Sequence, residues 1–152
     1  MKEQLLTTEI ALNNSHVQFS AFSGKNNPIL IDYVPPIGNG EGYTSLELLM
    51  ISLSTCLTTS VLTLLRKKNK NIVNAYATST GKRRTVHPTY LEEINIQLNL
   101  ISSDTSVEEL NEVLKISEST ICPVINMLNE NIQVNIEHMI HKPEDLDDTM
   151  EE

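Results

Sequence analysis

The chain has 152 residues, no tryptophan and a formal net charge of -9 at pH 7. The length suffices for one domain with a real core, and the composition is ordinary for a soluble globular protein. The negative charge argues against nucleic acid as a partner, because that affinity comes mainly from Lys and Arg side chains on phosphates. The N-terminus begins Met1-Lys2-Glu3-Gln4 and has no apolar signal segment, so we expect a cytoplasmic protein.

The first part of the chain predicts three short strands. Residues 4–11 and 15–22 are typical of a hairpin, and the second run alternates apolar and polar side chains as a half-buried strand does. Residues 28–34 predict a third strand. The loop that follows spaces its glycines as G-x-G-x-G, which lacks the Lys-Ser/Thr of a phosphate-binding P-loop. We therefore interpret this loop as a linker.

Residues 44–68 predict one long helix around which the other elements are organised. No charged residue lies between Leu48 and Leu65. Thr44 and Glu47 have the capping-box spacing, which by itself explains the glutamate. The uncharged run is at the lower edge of the length that a membrane span needs. Its seven Ser and Thr residues, and the absence of a second span, favour a buried core helix over a membrane helix.

The second half of the chain predicts strands at residues 72–80, 91–101 and 132–139. Between the first two strands lies a basic stretch that includes Arg83 and Arg84, which we interpret as a solvated hairpin tip. Ser106 begins a second helix with another capping box. Pro123 suits the first turn of a short third helix.

Residues 142–152 form an acidic tail, which we expect to be disordered and exposed to solvent.

The two cysteines, Cys56 and Cys122, allow three interpretations. A structural disulfide is not expected in a reducing compartment, which leaves two inert buried thiols, a metal site or a redox pair. The sequence has no C-x-x-C and its histidines lack ligand spacing, so it gives a metal site little support. Local physics makes Cys122 the more acidic thiol, because it precedes a helix whose N–H groups and dipole stabilise a thiolate.

Three motifs, taken together and in order, resemble the OsmC and organic hydroperoxide resistance family. Glu-Leu-Leu at 47–49 is followed by Cys56, nine residues after Glu47. His87-Pro88 leads to the strand that contains Ile94, and Cys-Pro-Val at 122–124 stands at a helix start. The order of the predicted elements also matches, and the resemblance covers about residues 4–140.

The resemblance implies an α+β fold over residues 1–141, with two central helices against strongly curved antiparallel sheets, in an intertwined homodimer. It implies that Cys56 is the peroxidatic thiol, which attacks a small hydroperoxide, and that Cys122 resolves the sulfenic acid as a disulfide. A dithiol would then reduce the disulfide, with no metal or bound cofactor. This order reverses the local ranking of the two thiols, which is consistent if a neighbour lowers the pKa of Cys56 and Cys122 is a good leaving group.

The chain departs from the hydroperoxide-reducing branch of that family at the group that activates the thiol. That branch uses an early arginine held by a glutamate ten residues before the cysteine, whereas here no arginine precedes Arg66 and that position is Leu46. At about 100° per residue, Glu47 lies on the opposite side of a straight helix from Cys56. The candidate activators that remain are Lys25, or Arg83, Arg84 or His87 from across the dimer.

The missing arginine also motivates an alternative function. The protein would then be an OsmC-like dimer without peroxidase activity that binds a small apolar ligand at the dimer interface.

Overall fold

The computed structural model describes residues 5–146, in two compact units divided between Leu49 and Met50. The first unit holds three antiparallel strands in the order β1-β2-β3: β1 (Glu9–Leu12), β2 (Phe19–Phe22) and β3 (Ile29–Ile31). The predicted hairpin and third strand are confirmed, with shorter strands than the sequence suggests. The hairpin turn is wider because the Asn14 carboxamide oxygen accepts the backbone N–H groups of His16 and Gln18, which takes these residues out of the ladder.

A buried carboxylate organises the loop after β3. Asp32 has no exposed surface, and its two oxygens accept backbone N–H groups from Tyr33 at 2.8 Å, Asn39 at 3.1 Å and Glu41 at 3.2 Å. Gly38 is required here, because a Cβ on it would lie 2.1 Å from Asp32 Oδ1. The stretch interpreted as a linker is therefore a loop with a defined fold around one side chain.

The pKa of Asp32 reflects the same contacts. Burial by itself would raise this pKa, but the N–H groups of Glu41, Tyr33 and Asn39, with the Gln18 side chain, lower it below its usual value. The folded protein therefore stabilises the ionised form of Asp32.

The long helix α1 (Ser45–Lys67) begins at the predicted capping box. The Glu47 carboxylate accepts the Thr44 N–H at 2.7 Å, and Thr44 Oγ1 accepts the Glu47 N–H at 3.3 Å. Arg66 and Lys67 lie in the last turn, where the helix dipole favours positive charge. The predicted capping box is confirmed.

The burial of α1 differs from the prediction of a helix enclosed on most sides. The buried residues repeat every three or four positions along one stripe, as expected of an amphipathic helix: Leu53, Ser54, Leu57, Ser60, Val61 and Leu65. The opposite face is uncharged yet open, with Ile51 46% exposed. By length and hydropathy alone, α1 could cross a membrane. Within the described part of the chain, 33% of its most apolar 18-residue stretch is buried.

The second unit is built on a three-stranded sheet in the order β4-β5-β6: β4 (Ile72–Arg83), β5 (Leu91–Ser102) and β6 (Gln133–His141). The predicted strand β5 is confirmed. Its buried Ile94, Ile96 and Leu98 alternate with exposed Asn95 and Gln97, whereas residues 98–102 are all buried. The α+β class is also confirmed. The expectation of purely antiparallel sheets is wrong for one pair, because β6 runs parallel to β5. A helical crossover separates these two strands in the sequence, which is the connection that a parallel pair requires.

That crossover contains α2 (Val107–Ile116), a π-helical turn (Ser117–Ile121) and α3 (Pro123–Met127). The predicted capping box is confirmed, with the Glu109 N–H on Ser106 Oγ at 3.2 Å and the Ser106 N–H on the Glu109 carboxylate at 3.0 Å. The helix start at Pro123 is also confirmed. Because the π turn changes the helical register, Ile121 is exposed rather than continuing the buried stripe of α2.

Two ion pairs connect the turn after α1 to α2. Lys70 Nζ lies 2.8 Å from the Glu109 carboxylate, and Lys68 pairs with Glu112. These contacts fix the helix that carries Cys56 against the segment that leads to Cys122.

After β6, Pro143–Leu146 forms a short 3-10 turn. The rest of the predicted acidic tail, residues 147–152, lies outside the described residues.

Candidate active site

Cys56 lies in the middle of α1 and is half-buried. Its neighbours Leu53 and Leu57 have no exposed surface. The Ser60 hydroxyl donates to the Cys56 carbonyl at 2.9 Å, so this polar side chain is satisfied within the helix. The thiol is therefore carried by a regular, well-anchored turn and remains partly accessible.

Cys122 occupies the short extended link between the π turn and α3, and it has no exposed surface. Its backbone N–H donates to the Ser117 carbonyl at 2.8 Å, the spacing of a π-helical bond. Its own carbonyl accepts the first hydrogen bond of α3, from the Asn126 N–H at 3.3 Å. The backbone N–H and carbonyl of Cys122 are therefore both hydrogen-bonded, and its side chain is the group available for chemistry.

The structure places the two thiols near each other, since the Cys56 side chain interacts with the Cys122 thiol and raises its pKa. Both are free thiols. Sequence alone could not show this proximity, because the two residues lie on elements far apart in the chain.

Burial raises the pKa of the Cys122 thiol, and the adjacent Cys56 side chain raises it further. The backbone N–H groups of Ile125 and Val124 act in the opposite direction. The expectation that Cys122 is an acidic thiol is therefore wrong in its sign. The helix start does favour the thiolate as argued, but the cost of burying a charge is larger. A raised pKa also removes the expectation that Cys122 is a good leaving group.

Glu47 is exposed, and its carboxylate is bound by the first turn of α1. The backbone N–H and the hydroxyl of Thr44 lower the pKa of Glu47. These contacts account for the residue as a helix cap.

The basic candidates lie at the β4–β5 hairpin, where the arginines are engaged locally. Arg83 donates to the Thr89 carbonyl at 2.7 Å and to the Thr89 hydroxyl at 2.6 Å. Arg84 pairs with Glu92 at 3.5 Å and stacks 5.0 Å from the centroid of the Tyr90 ring. His87 is exposed at the tip, and Lys25 is exposed in the turn after β2. Within the described chain no hydrogen bond joins either thiol to Arg83, Arg84 or His87.

Sequence reasoning missed Asn126, whose carboxamide nitrogen donates to the Cys122 carbonyl at 2.9 Å and to the Glu118 carbonyl at 3.1 Å. An asparagine four residues after a cysteine carries no specific signal, so only the fold reveals this pair of contacts. Among residues 5–146, no group of three or more His, Cys, Asp and Glu side chains is arranged to hold a metal ion.

Solved structures with the same fold extend over nearly the whole chain. A hypothetical protein from Aquifex aeolicus VF5 has a TM-score of 0.80 at 23% identity, over 92% of this chain and 98% of that one. An OsmC-like protein from Mycoplasma pneumoniae has a TM-score of 0.77 at 22% identity, over 91% and 99%. An organic hydroperoxide resistance protein from Elizabethkingia anophelis has a TM-score of 0.73 at 12% identity, over 92% and 99%. At these identities the likeness concerns the fold.

A comparison with curated proteins found no match. The sequence model of the OsmC-like protein family matches residues 38–137, which include both cysteines, the β4–β5 hairpin and the π turn. This match covers well over half of the chain, and the solved structures share its fold. The chain therefore belongs to the OsmC-like protein family.

Proposed function

We propose that the protein is a thiol-dependent hydroperoxide reductase that acts in oxidative-stress defence. The observation that carries this proposal is the proximity of two free thiols, one half-buried and one fully buried, of which Cys56 raises the pKa of Cys122. Neighbours in the fold that are named organic hydroperoxide resistance proteins support it.

In the first step the Cys56 thiolate attacks a peroxide oxygen. The O–O bond breaks, the alkoxide leaves and takes up a proton as the alcohol, and Cys56 becomes a sulfenic acid. The partial exposure of Cys56 suits this role, since the peroxide must reach the sulfur.

In the second step Cys122 resolves the sulfenic acid. Its thiol loses a proton, its sulfur attacks Cys56, the S–S bond forms and water leaves. A dithiol then exchanges with the disulfide, restores both thiols and is itself oxidised. Because the pKa of Cys122 is raised, loss of this proton is the demanding part of the step.

We further propose that the protein works in the cytoplasm as an intertwined homodimer, in which Arg83, Arg84 or His87 of the other subunit stands beside Cys56. Open apolar surface supports the assembly, since Ile10 and Leu12 of β1 are 66% and 57% exposed.

We expect light scattering of the purified protein to give twice the monomer mass. Ile10→Asp should shift it toward the monomer, because a charge on a buried contact is costly. Glu9→Gln at the neighbouring exposed position should leave the dimer intact. A monomer in the unmodified protein would contradict the assembly.

The peroxidase proposal is tested by a free-thiol count and intact mass before and after one equivalent of cumene hydroperoxide. Loss of both thiols and of two hydrogens, with no oxygen gained, supports an intramolecular redox pair. Two thiols that remain free after minutes would contradict the proposal, and the alternative of a ligand-binding dimer would take its place.

Cys122→Ser should leave the first step intact and block the second. With no thiol to form the disulfide, Cys56 should accumulate as sulfenic and then sulfinic acid, which adds one and then two oxygens to the mass. Peptide mapping after repeated additions of peroxide shows whether the added oxygens are on Cys56. If this variant turns over as the wild type does, Cys122 is not the resolving thiol.

A further inference from the structure

One carboxamide holds together the two helical segments on either side of Cys122. Asn126 Nδ2 donates to the carbonyl of Glu118 in the π turn and to the carbonyl of Cys122 itself, at 3.1 and 2.9 Å. The Cys122 N–H is bound to Ser117 at 2.8 Å. The direction of the buried thiol is therefore set by a small closed set of hydrogen bonds within residues 117–126.

The flanking segments need this connection. The helix α3 has five residues and no side-chain cap at its start, and so short a helix is not stable on its own. The π turn before it is also only five residues long. Without the carboxamide, no side-chain hydrogen bond among the described residues joins the π turn to α3 across Cys122.

We propose that Asn126 is a positioning residue for the resolving step. Its hydrogen bonds keep the Cys122 sulfur close to Cys56. This inference rests on the proposed function for its physiological meaning. The chemistry that it governs is formation of the Cys56–Cys122 bond, in which two thiols lose two electrons and two protons. Asn126 touches neither sulfur and acts through the backbone of Cys122.

The effect can be measured without peroxide, as the equilibrium between the dithiol and disulfide forms in glutathione buffers. Oxidised glutathione supplies the oxidant and leaves as two molecules of the reduced form. We expect Asn126→Ala to lower the equilibrium constant for disulfide formation about five- to tenfold. Without the two hydrogen bonds the dithiol form gains conformational freedom, which it must lose again when the disulfide forms. A tenfold loss corresponds to about 30 mV in reduction potential.

The controls separate positioning from helix stability. Alanine has a higher helix propensity than asparagine, so any effect of Asn126→Ala on α3 comes from the lost hydrogen bonds and not from helix propensity. Asn126→Asp keeps the shape but cannot donate, and it should behave like the alanine variant. Asn126→Gln keeps a donor and should recover part of the loss. Met127→Ala changes a 75% exposed neighbour on α3 and should match the wild type.

A wild-type equilibrium constant in Asn126→Ala and Asn126→Asp would overturn the inference. The reaction with peroxide is a separate test from the glutathione equilibrium. If the wild type forms the disulfide in glutathione buffers but does not react with cumene hydroperoxide, the proposed function fails while the glutathione series still decides the role of Asn126. If both proposals hold, Asn126→Ala should form sulfinic acid at Cys56 several-fold more often per turnover.

Discussion

Replacing Cys56 with serine should reduce hydroperoxide turnover by about a thousandfold or more, since an enzyme that loses its nucleophile retains only background catalysis. The serine hydroxyl cannot form a sulfenic acid or a disulfide, so Cys122 should stay a free thiol after peroxide is added. Peroxide consumption with a dithiol reductant and the intact mass of the variant check both parts.

A matched control is Thr55→Ser, which removes one methyl group from the neighbouring exposed residue of α1. It should keep the wild-type rate and thermal stability. Full activity in Cys56→Ser would show that peroxide chemistry, if present, resides elsewhere. Loss of activity in both variants would instead point to a disturbed helix.

Replacing Asp32 with asparagine should cost a large share of the stability of the first unit. Three backbone N–H groups converge on the carboxylate, and an amide presents its own donors to at least one of them. Buried donors left without an acceptor are costly, so we expect the Tm to fall by at least about 5 °C. Thermal unfolding followed by circular dichroism measures the effect.

The loss of stability in Asp32→Asn should also depend on pH in a defined direction. The pKa of Asp32 is lowered in the folded protein, so its contribution to stability is present above the unfolded value, near 3.9, and disappears as the pH falls through the folded value. The difference in Tm between wild type and Asp32→Asn should therefore be constant above about pH 5 and shrink below about pH 4. Glu9→Gln, at an exposed site, should show neither effect.

Local signals in the sequence predict local structure well in this chain. The caps at Thr44 and Ser106, the alternation along β5 and the helix start at Pro123 each depend on residues within a few positions of one another. The caps and the helix start are found in the structure, and the alternation along β5 is found from Ile94 to Leu98. The physics of capping and of the two-residue strand period acts at short range, which is why a single sequence contains it.

The features that the sequence does not reveal depend on residues far apart. The parallel pairing of β6 depends on where a crossover returns the chain. The pKa of Cys122 is raised by burial, which comes from tertiary packing and outweighs the helix start. The Asp32 loop is invisible for the same reason, because the N–H groups that it binds come from Asn39 and Glu41.

The candidate site shows both cases. Family motifs point to Cys56 and Cys122, and in the structure the Cys56 side chain is close enough to raise the pKa of Cys122. The same motifs point to Glu47, which the structure gives a sufficient role as a helix cap. Arg83 and Arg84 are engaged within their own hairpin.

The complete burial of Cys122 determines how the reduced protein meets electrophiles in the cell. An alkylating reagent needs an accessible thiolate, and Cys122 offers neither access nor ready ionisation. The protein holds two cysteines yet presents one, Cys56, to such reagents. An adduct on Cys56 that can leave, glutathione included, would be released by Cys122 only after this thiol loses a proton, which its raised pKa makes harder.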